Sequence, residues 1–101
     1  MIEREQPVIR AIVIHPHERD SADRADARLE EASGLAEALD MELVDNYLVS
    51  LRRIEAGLYF GKGKVEEISE QLNETRSDVA VIDAALSPLH HRSLEKAWTV
   101  K

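Results

Sequence analysis

Apolar residues follow two rhythms along this chain, and the rhythms alternate. Val8, Ile9, Ile12, Val13 and Ile14 form a dense β-branched run that predicts a strand over 7–14, buried on both faces and ended by His15-Pro16-His17. Over 22–39, Ala25, Leu29, Ala32, Ala36 and Leu39 recur at spacings of four, three, four and three, which draws one apolar stripe along a helix capped by Asp20 or Ser21. The outer face of that helix carries Asp23, Arg24, Asp26, Glu30, Glu31 and Glu37, read as a solvated surface. A second strand is predicted over 41–51 from Leu43, Val44, Tyr47, Leu48, Val49 and Leu51, followed by an irregular link from Arg52 to Phe60. The next helix starts near Gly63, with Val65, Ile68 and Leu72 inward and Glu66, Glu67, Glu70 and Glu74 toward water. Val79-Ala80-Val81-Ile82 is the heart of a third strand over 78–83. Ser87 then caps a helix that has Pro88 in its first turn and Leu94, Ala97 and Trp98 on its inward side, while Thr99-Val100-Lys101 reads as the start of another strand.

Alternating strands and helices predict an α/β fold: a small three-layer sandwich with a mostly parallel sheet of three to four strands and helices on both faces. In such a sheet His15, Leu51 and Asp83 end their strands on the carboxyl edge, where open α/β sheets bind ligands. At 101 residues the chain is one domain, 1–101.

The chemistry concentrates in Tyr59-Phe60-Gly61-Lys62-Gly63-Lys64, where glycines and lysines alternate just before an amphipathic helix. A helix N-terminus has unpaired N–H groups and the positive end of the dipole, glycines let another molecule approach the backbone, and lysines add charge. Gly63 is expected to supply a positive φ as well. The plainer alternative is that Gly61 and Gly63 only ease the turn into the helix while Lys62 and Lys64 are solvated. Neither standard nucleotide loop fits. Gly57 and Gly61 enclose three residues where a Walker A loop needs four, and Glu66 stands where a dinucleotide fingerprint needs its third glycine.

The formal charge of −7 argues against a generally basic nucleic-acid binder, but all of the excess lies in residues 1–50, with twelve acids against five arginines. Residues 51–101 are balanced and hold all four lysines, so an anion-binding face must be local. Cysteine is absent, which excludes disulfides, zinc–thiolate sites and thiol catalysis, and no apolar run approaches membrane-spanning length. A cytoplasmic protein without membrane partners is the expectation.

Other candidates are weaker. His15-x-His17 and His90-His91 are read as surface or turn histidines, since adjacent helix residues diverge by about 100° and do not share one ion; no metal site is predicted. Asp83 is read as a cap of the turn from Ala84 to Ser87, the alternative being a general base or a magnesium ligand. Trp98 is read as core, and Tyr59 and Phe60 as packing residues, with stacking on an unpaired base as their alternative.

Tyr59-Phe60-Gly61-Lys62-Gly63-Lys64-Val65-Glu66-Glu67 and, further on, Ile82-Asp83-Ala84-Ala85-Leu86-Ser87-Pro88 continuing through Arg92-Ser93-Leu94-Glu95-Lys96-Ala97 resemble the amino-terminal domain of HflX-type ribosome-associated GTPases. The resemblance extends over about residues 8 to 101, and His90-His91 departs from the glutamines often found before the Arg92 position. It implies a module that binds ribosomal RNA of the large subunit in a protein that splits or rescues ribosomes. The GTPase domain, with its GTP and magnesium, would follow. No G-x-x-x-x-G-K-[ST], D-x-x-G or N-K-x-D occurs here, so this chain is expected to hydrolyse no GTP by itself, to have no catalytic residue and to need no cofactor. The expected contacts are Gly61, Lys62, Gly63, Lys64 and Arg92 on phosphates, with Tyr59 and Asp83 as accessory positions. The resemblance also implies a further strand beyond Lys101, so the domain is expected to be incomplete at its carboxyl end and its open sheet edge to favour self-association. The alternative function is a nucleotide-binding α/β domain with weak ATP hydrolysis, because amino-terminal domains of the family have been associated with ATP.

Overall fold

The computed structural model describes residues 8–18 and 24–99. Among the described residues three strands and three helices alternate: β1 (Arg10–Glu18), α1 (Ala25–Ala38), β2 (Glu42–Leu51), α2 (Lys62–Thr75), β3 (Val79–Ile82) and α3 (Pro88–Trp98). The strands form one parallel sheet in the order β2-β1-β3, as the alternation predicts. Pro7, the Asp20 or Ser21 cap, and a strand beginning at Val100 and Lys101 lie outside the described residues.

The first strand is displaced from the predicted span. Val8 and Ile9 are exposed and precede it, whereas His15, Pro16 and His17 continue it, paired with Leu48, Val49 and Ser50. Proline is tolerated there for a backbone reason. The Ile14 carbonyl accepts the Asp83 N–H at 2.8 Å, so the polar groups of residue 14, and of residue 16 two positions on, face the β3 side. Pairing with β3 ends at Ile14↔Ile82, and the donor that Pro16 lacks would have had no ladder partner.

Ala11, Ile12, Val13 and Ile14 are fully buried because helices cover both faces of the sheet. Val13 packs on one face with Ala32 and Ala36 of α1, joined by Leu29, Leu43 and Val81. Ile12 and Ile14 meet Phe60, Ile68 and Leu72 from the α2 side and Leu94 and Trp98 of α3 on the other face. Register shifts between Ala11↔Leu43 and Ile12↔Asp45, leaving Val44 as an extra residue. That bulge lets Leu43 face α1 while Tyr47, Val49 and Leu51 face α2. Tyr47 pays for its place: its hydroxyl is buried without a hydrogen-bond partner among the described residues, and burial, aided by Asp45 and Glu67, pushes the phenol up to about 12.

The stripe of α1 is built from small residues, so the helix sits close to the sheet and Ser33 Oγ accepts from Asn46 Nδ2 at 2.8 Å. Leu39, predicted inward, is exposed because the helix ends at Ala38 and Leu39 is its C-cap. Ala97, also predicted inward, is exposed; Leu94 and Trp98, one turn apart, carry the buried face of α3. Val65, Ile68 and Leu72 are buried in α2 as predicted, with its four glutamates outward.

Arg10 ties the amino edge of the sheet together: it donates to the Thr75 carbonyl through Nε and Nη2 at 3.1 and 2.8 Å, and pairs with Glu42 at 3.2 Å. Ser87 caps α3 as predicted, accepting the His90 N–H at 3.1 Å while the His90 ring reaches back to the Ser87 N–H. Ser87→Ala should cost about 1 kcal/mol in urea unfolding without a change in m-value. Among the described residues no helix is long and apolar enough to cross a membrane.

Candidate functional site

The Gly-Lys turn stands on a rigid base. Glu55 and Tyr59 exchange two backbone hydrogen bonds of 3.0 and 3.2 Å, closing the link after β2 into a small loop. Tyr59 closes it in the left-handed region at φ 71°, an uncommon conformation for a tyrosine. Its ring is buried edge-on against Phe60 and His90, at 5.2 and 5.3 Å between centroids. The His90 Nε2 lies 3.0 Å from the Glu55 carbonyl oxygen, so the α3 cap also pins the loop. Tyr59 and Phe60 are therefore packing residues, and base stacking by either ring does not fit their burial.

From that base the chain turns into α2 through Gly61, an extended N-cap at φ −65° and ψ 156°. No glycine among the described residues has a positive φ, which corrects the expectation for Gly63. What the glycines supply is openness: a Cβ at Gly61 or Gly63 would meet nothing within 4 Å. The Val65 N–H closes the first helical bond on the Gly61 carbonyl at 3.0 Å, so the N–H groups of Lys62, Gly63 and Lys64 precede the ladder. Among the described residues no side chain caps this end, and the first turn contains no acid to occupy the positive end of the dipole. Gly63→Ala should accordingly raise stability by about 0.5–1 kcal/mol, since alanine fits the helical backbone and restricts the unfolded chain. A lower melting temperature for that variant would refute this reading of the turn.

The lysines differ. Lys64 Nζ is held by Glu67 Oε1 at 2.7 Å, whereas Lys62 is exposed with no ion pair among the described residues. Two arginines that sequence reasoning passed over join them. Arg52 and Arg53 follow the last residue of β2 and, with Glu55, Gly61 and Lys64, line an open cavity of about 510 Å³ at the carboxyl edge. Arg53 is paired with Glu55 at 3.1 Å, and Arg52 has no ion pair among the described residues. Adjacent bases just after an apolar strand were the available signal. Arg92 is exposed on α3 and takes no part in lining this cavity.

Asp83 does not cap the turn after β3. Its Oδ2 lies 3.0 Å from His15 Nδ1 and 3.6 Å from Arg28 Nε, because alternation along β1 and β3 puts His15 and Asp83 on the α1 face. His15 is a buried strand residue and not a surface or turn histidine. Among the described residues no group of three or more histidine, aspartate or glutamate side chains is placed to hold a metal ion.

Comparison with known proteins agrees with the motifs. Residues 26–101 match the family described as GTP-binding GTPase N-terminal. The chain is 34% identical over 102 residues to a protein named GTPase HflX from Magnetococcus marinus, and 34% identical over 101 residues to one of that name from Lacrimispora saccharolytica. Each alignment takes in the whole chain and 24% of the relative. GTPase HflX of Escherichia coli K12 is 28% identical over 96 residues, or 95% of this chain and 22% of that protein. The chain thus spans about a quarter of the length of these relatives. With the family matched across most of its residues, the chain belongs to the GTP-binding GTPase N-terminal family, as an HflX-type amino-terminal domain.

Proposed function

We propose that this domain docks on RNA of the large ribosomal subunit, in the cytoplasm, as the amino-terminal module of an HflX-like GTPase that splits or rescues ribosomes. The observation that carries the reading is the α2 N-terminus, with three amide N–H groups outside the helical ladder, no acid in the first turn, and Lys62 unpaired beside it among the described residues. Arg52 extends the cationic face across the neighbouring cavity. These donors sit on a helix and on a strand end anchored by Tyr59 and Phe60, so little order has to be gained on binding. An acidic chain can bind RNA in this way because the excess negative charge lies in residues 1–50, while this face is drawn from residues 51–64.

Phosphate contacts of this kind give affinity and position without reading sequence. Binding of the protein to purified large subunits should weaken with salt along a linear log-log plot, and binding that ignores salt would exclude a phosphate-based dock.

A further inference from the structure

A second cavity lies at the same edge of the sheet, over the ends of β1 and β2 and beside the start of α1. The cavity measures about 320 Å³ and is lined by His15, His17, Glu18, Arg24, Arg28, Leu51 and Tyr59 among others. Its volume is at the small end of ligand pockets, about 300–1,000 Å³.

Four of these side chains offer nitrogen donors. His15 is the buried one, with 10% of its side chain exposed, and Asp83 holds its Nδ1 at 3.0 Å. That partner fixes the ring and leaves Nε2 with no hydrogen-bond partner among the described residues. Protonated, Nε2–H donates to an anionic oxygen; neutral, Nε2 accepts from a P–OH group, so either form makes one hydrogen bond to a phosphoryl group. Arg28 commits Nε to Asp83, and its two terminal nitrogens keep the fork that matches a pair of phosphoryl oxygens. Arg24 is the N-cap of the 14-residue α1 and makes no cap hydrogen bond with its side chain, and its position adds the positive end of a helix to the arginines. Glu18 on the rim and Asp26 in the first turn of α1 offset part of that charge. Burial and Glu18 raise the Tyr59 phenol, which stays a neutral donor at the wall.

We propose that this cavity binds a phosphoryl group carried by a small phosphomonoester, with Arg28 and His15 as its main contacts and Asp83 positioning His15. The site shares the Leu51 wall with the cavity of the RNA face but none of its cations. Its test is an amide NMR titration of the protein with inorganic phosphate, phenyl phosphate as monoester and dimethyl phosphate as diester, each against sodium chloride at matched ionic strength. Inorganic phosphate and phenyl phosphate should give saturating shifts at Ala25–Arg28, Asp83 and the His15 ring. Arg28→Ala, at a side chain 58% exposed and thus without risk to folding, should weaken both about tenfold. Lys62→Ala with Lys64→Ala should leave these affinities unchanged, which separates failure here from failure of the RNA reading. Shifts no different from those in sodium chloride, or an unchanged affinity in Arg28→Ala, would overturn the site. Dimethyl phosphate binding as tightly as phenyl phosphate would overturn the monoester in favour of a backbone phosphate.

Discussion

Phe60→Ala is expected to lower stability by about 3–5 kcal/mol, the largest loss foreseen for any substitution in this domain. Phe60 is 1% exposed and is the largest of the fully buried side chains. It lies against Tyr59 and, at 6.1 Å between ring centroids, Trp98, so its removal loosens three elements together: the loop after β2, α2 through its first buried turn, and α3. The hole has little chance to close, since Trp98 is fixed by its Nε1–H donating to the Val65 carbonyl at 2.9 Å. Small domains have about 5–15 kcal/mol in all, so the variant should be partly unfolded at 37 °C. Urea titration followed by tryptophan fluorescence checks it. Phe60→Leu keeps most of the volume and should cost clearly less; equal destabilisation in the two variants would mean that the aromatic contacts, not the volume, hold this junction.

Position along the chain determines what could be read beforehand. Helix α2 was legible to the residue on its buried face because Val65, Ile68 and Leu72 alternate with glutamates, and periodicity is a local property. The Ser87-Pro88 start of α3 was legible for the same reason: a cap acts within one turn. Pro16 misled because proline looks like a terminator, and its tolerance depends on where β3 stops, 66 residues further along at Ile82. Asp83 misled in the same way. A turn cap was the local option, whereas the partners it has, His15 and Arg28, reach it only through the parallel pairing of β1 with β3. The left-handed Tyr59 carries no sequence signal, since bulky residues rarely adopt that conformation and the packed loop imposes it. In the Gly-Lys turn, residue types pointed to an open helix end with unpaired N–H groups, and that end is present, but Arg52 and Arg53 join it only once β2 ends beside α2.

Lys62→Ala with Lys64→Ala is expected to weaken binding to large ribosomal subunits and to reduce the log-log salt slope by about 0.7–0.9 for each phosphate no longer neutralised. The two lysines should contribute unequally. Lys62 has no competing partner among the described residues, so its ammonium is fully available to a phosphate, whereas Lys64 must share its own with Glu67 at 2.7 Å. Lys62→Ala alone should therefore account for most of the slope change, and Arg52→Ala should add a comparable step. Folding should hardly respond: removing an exposed lysine changes stability by within about 0.5 kcal/mol, and an i,i+3 surface pair is worth about 0.2–0.5 kcal/mol. Salt-dependent filter binding and thermal melts on the same preparations separate binding from scaffold. Glu67→Ala gives the opposite sign, since it frees the Lys64 ammonium and should strengthen binding at low salt. If the double lysine variant binds large subunits like the unaltered protein at both low and moderate salt, the α2 N-terminus is not the RNA face, and its glycines and lysines only start a helix.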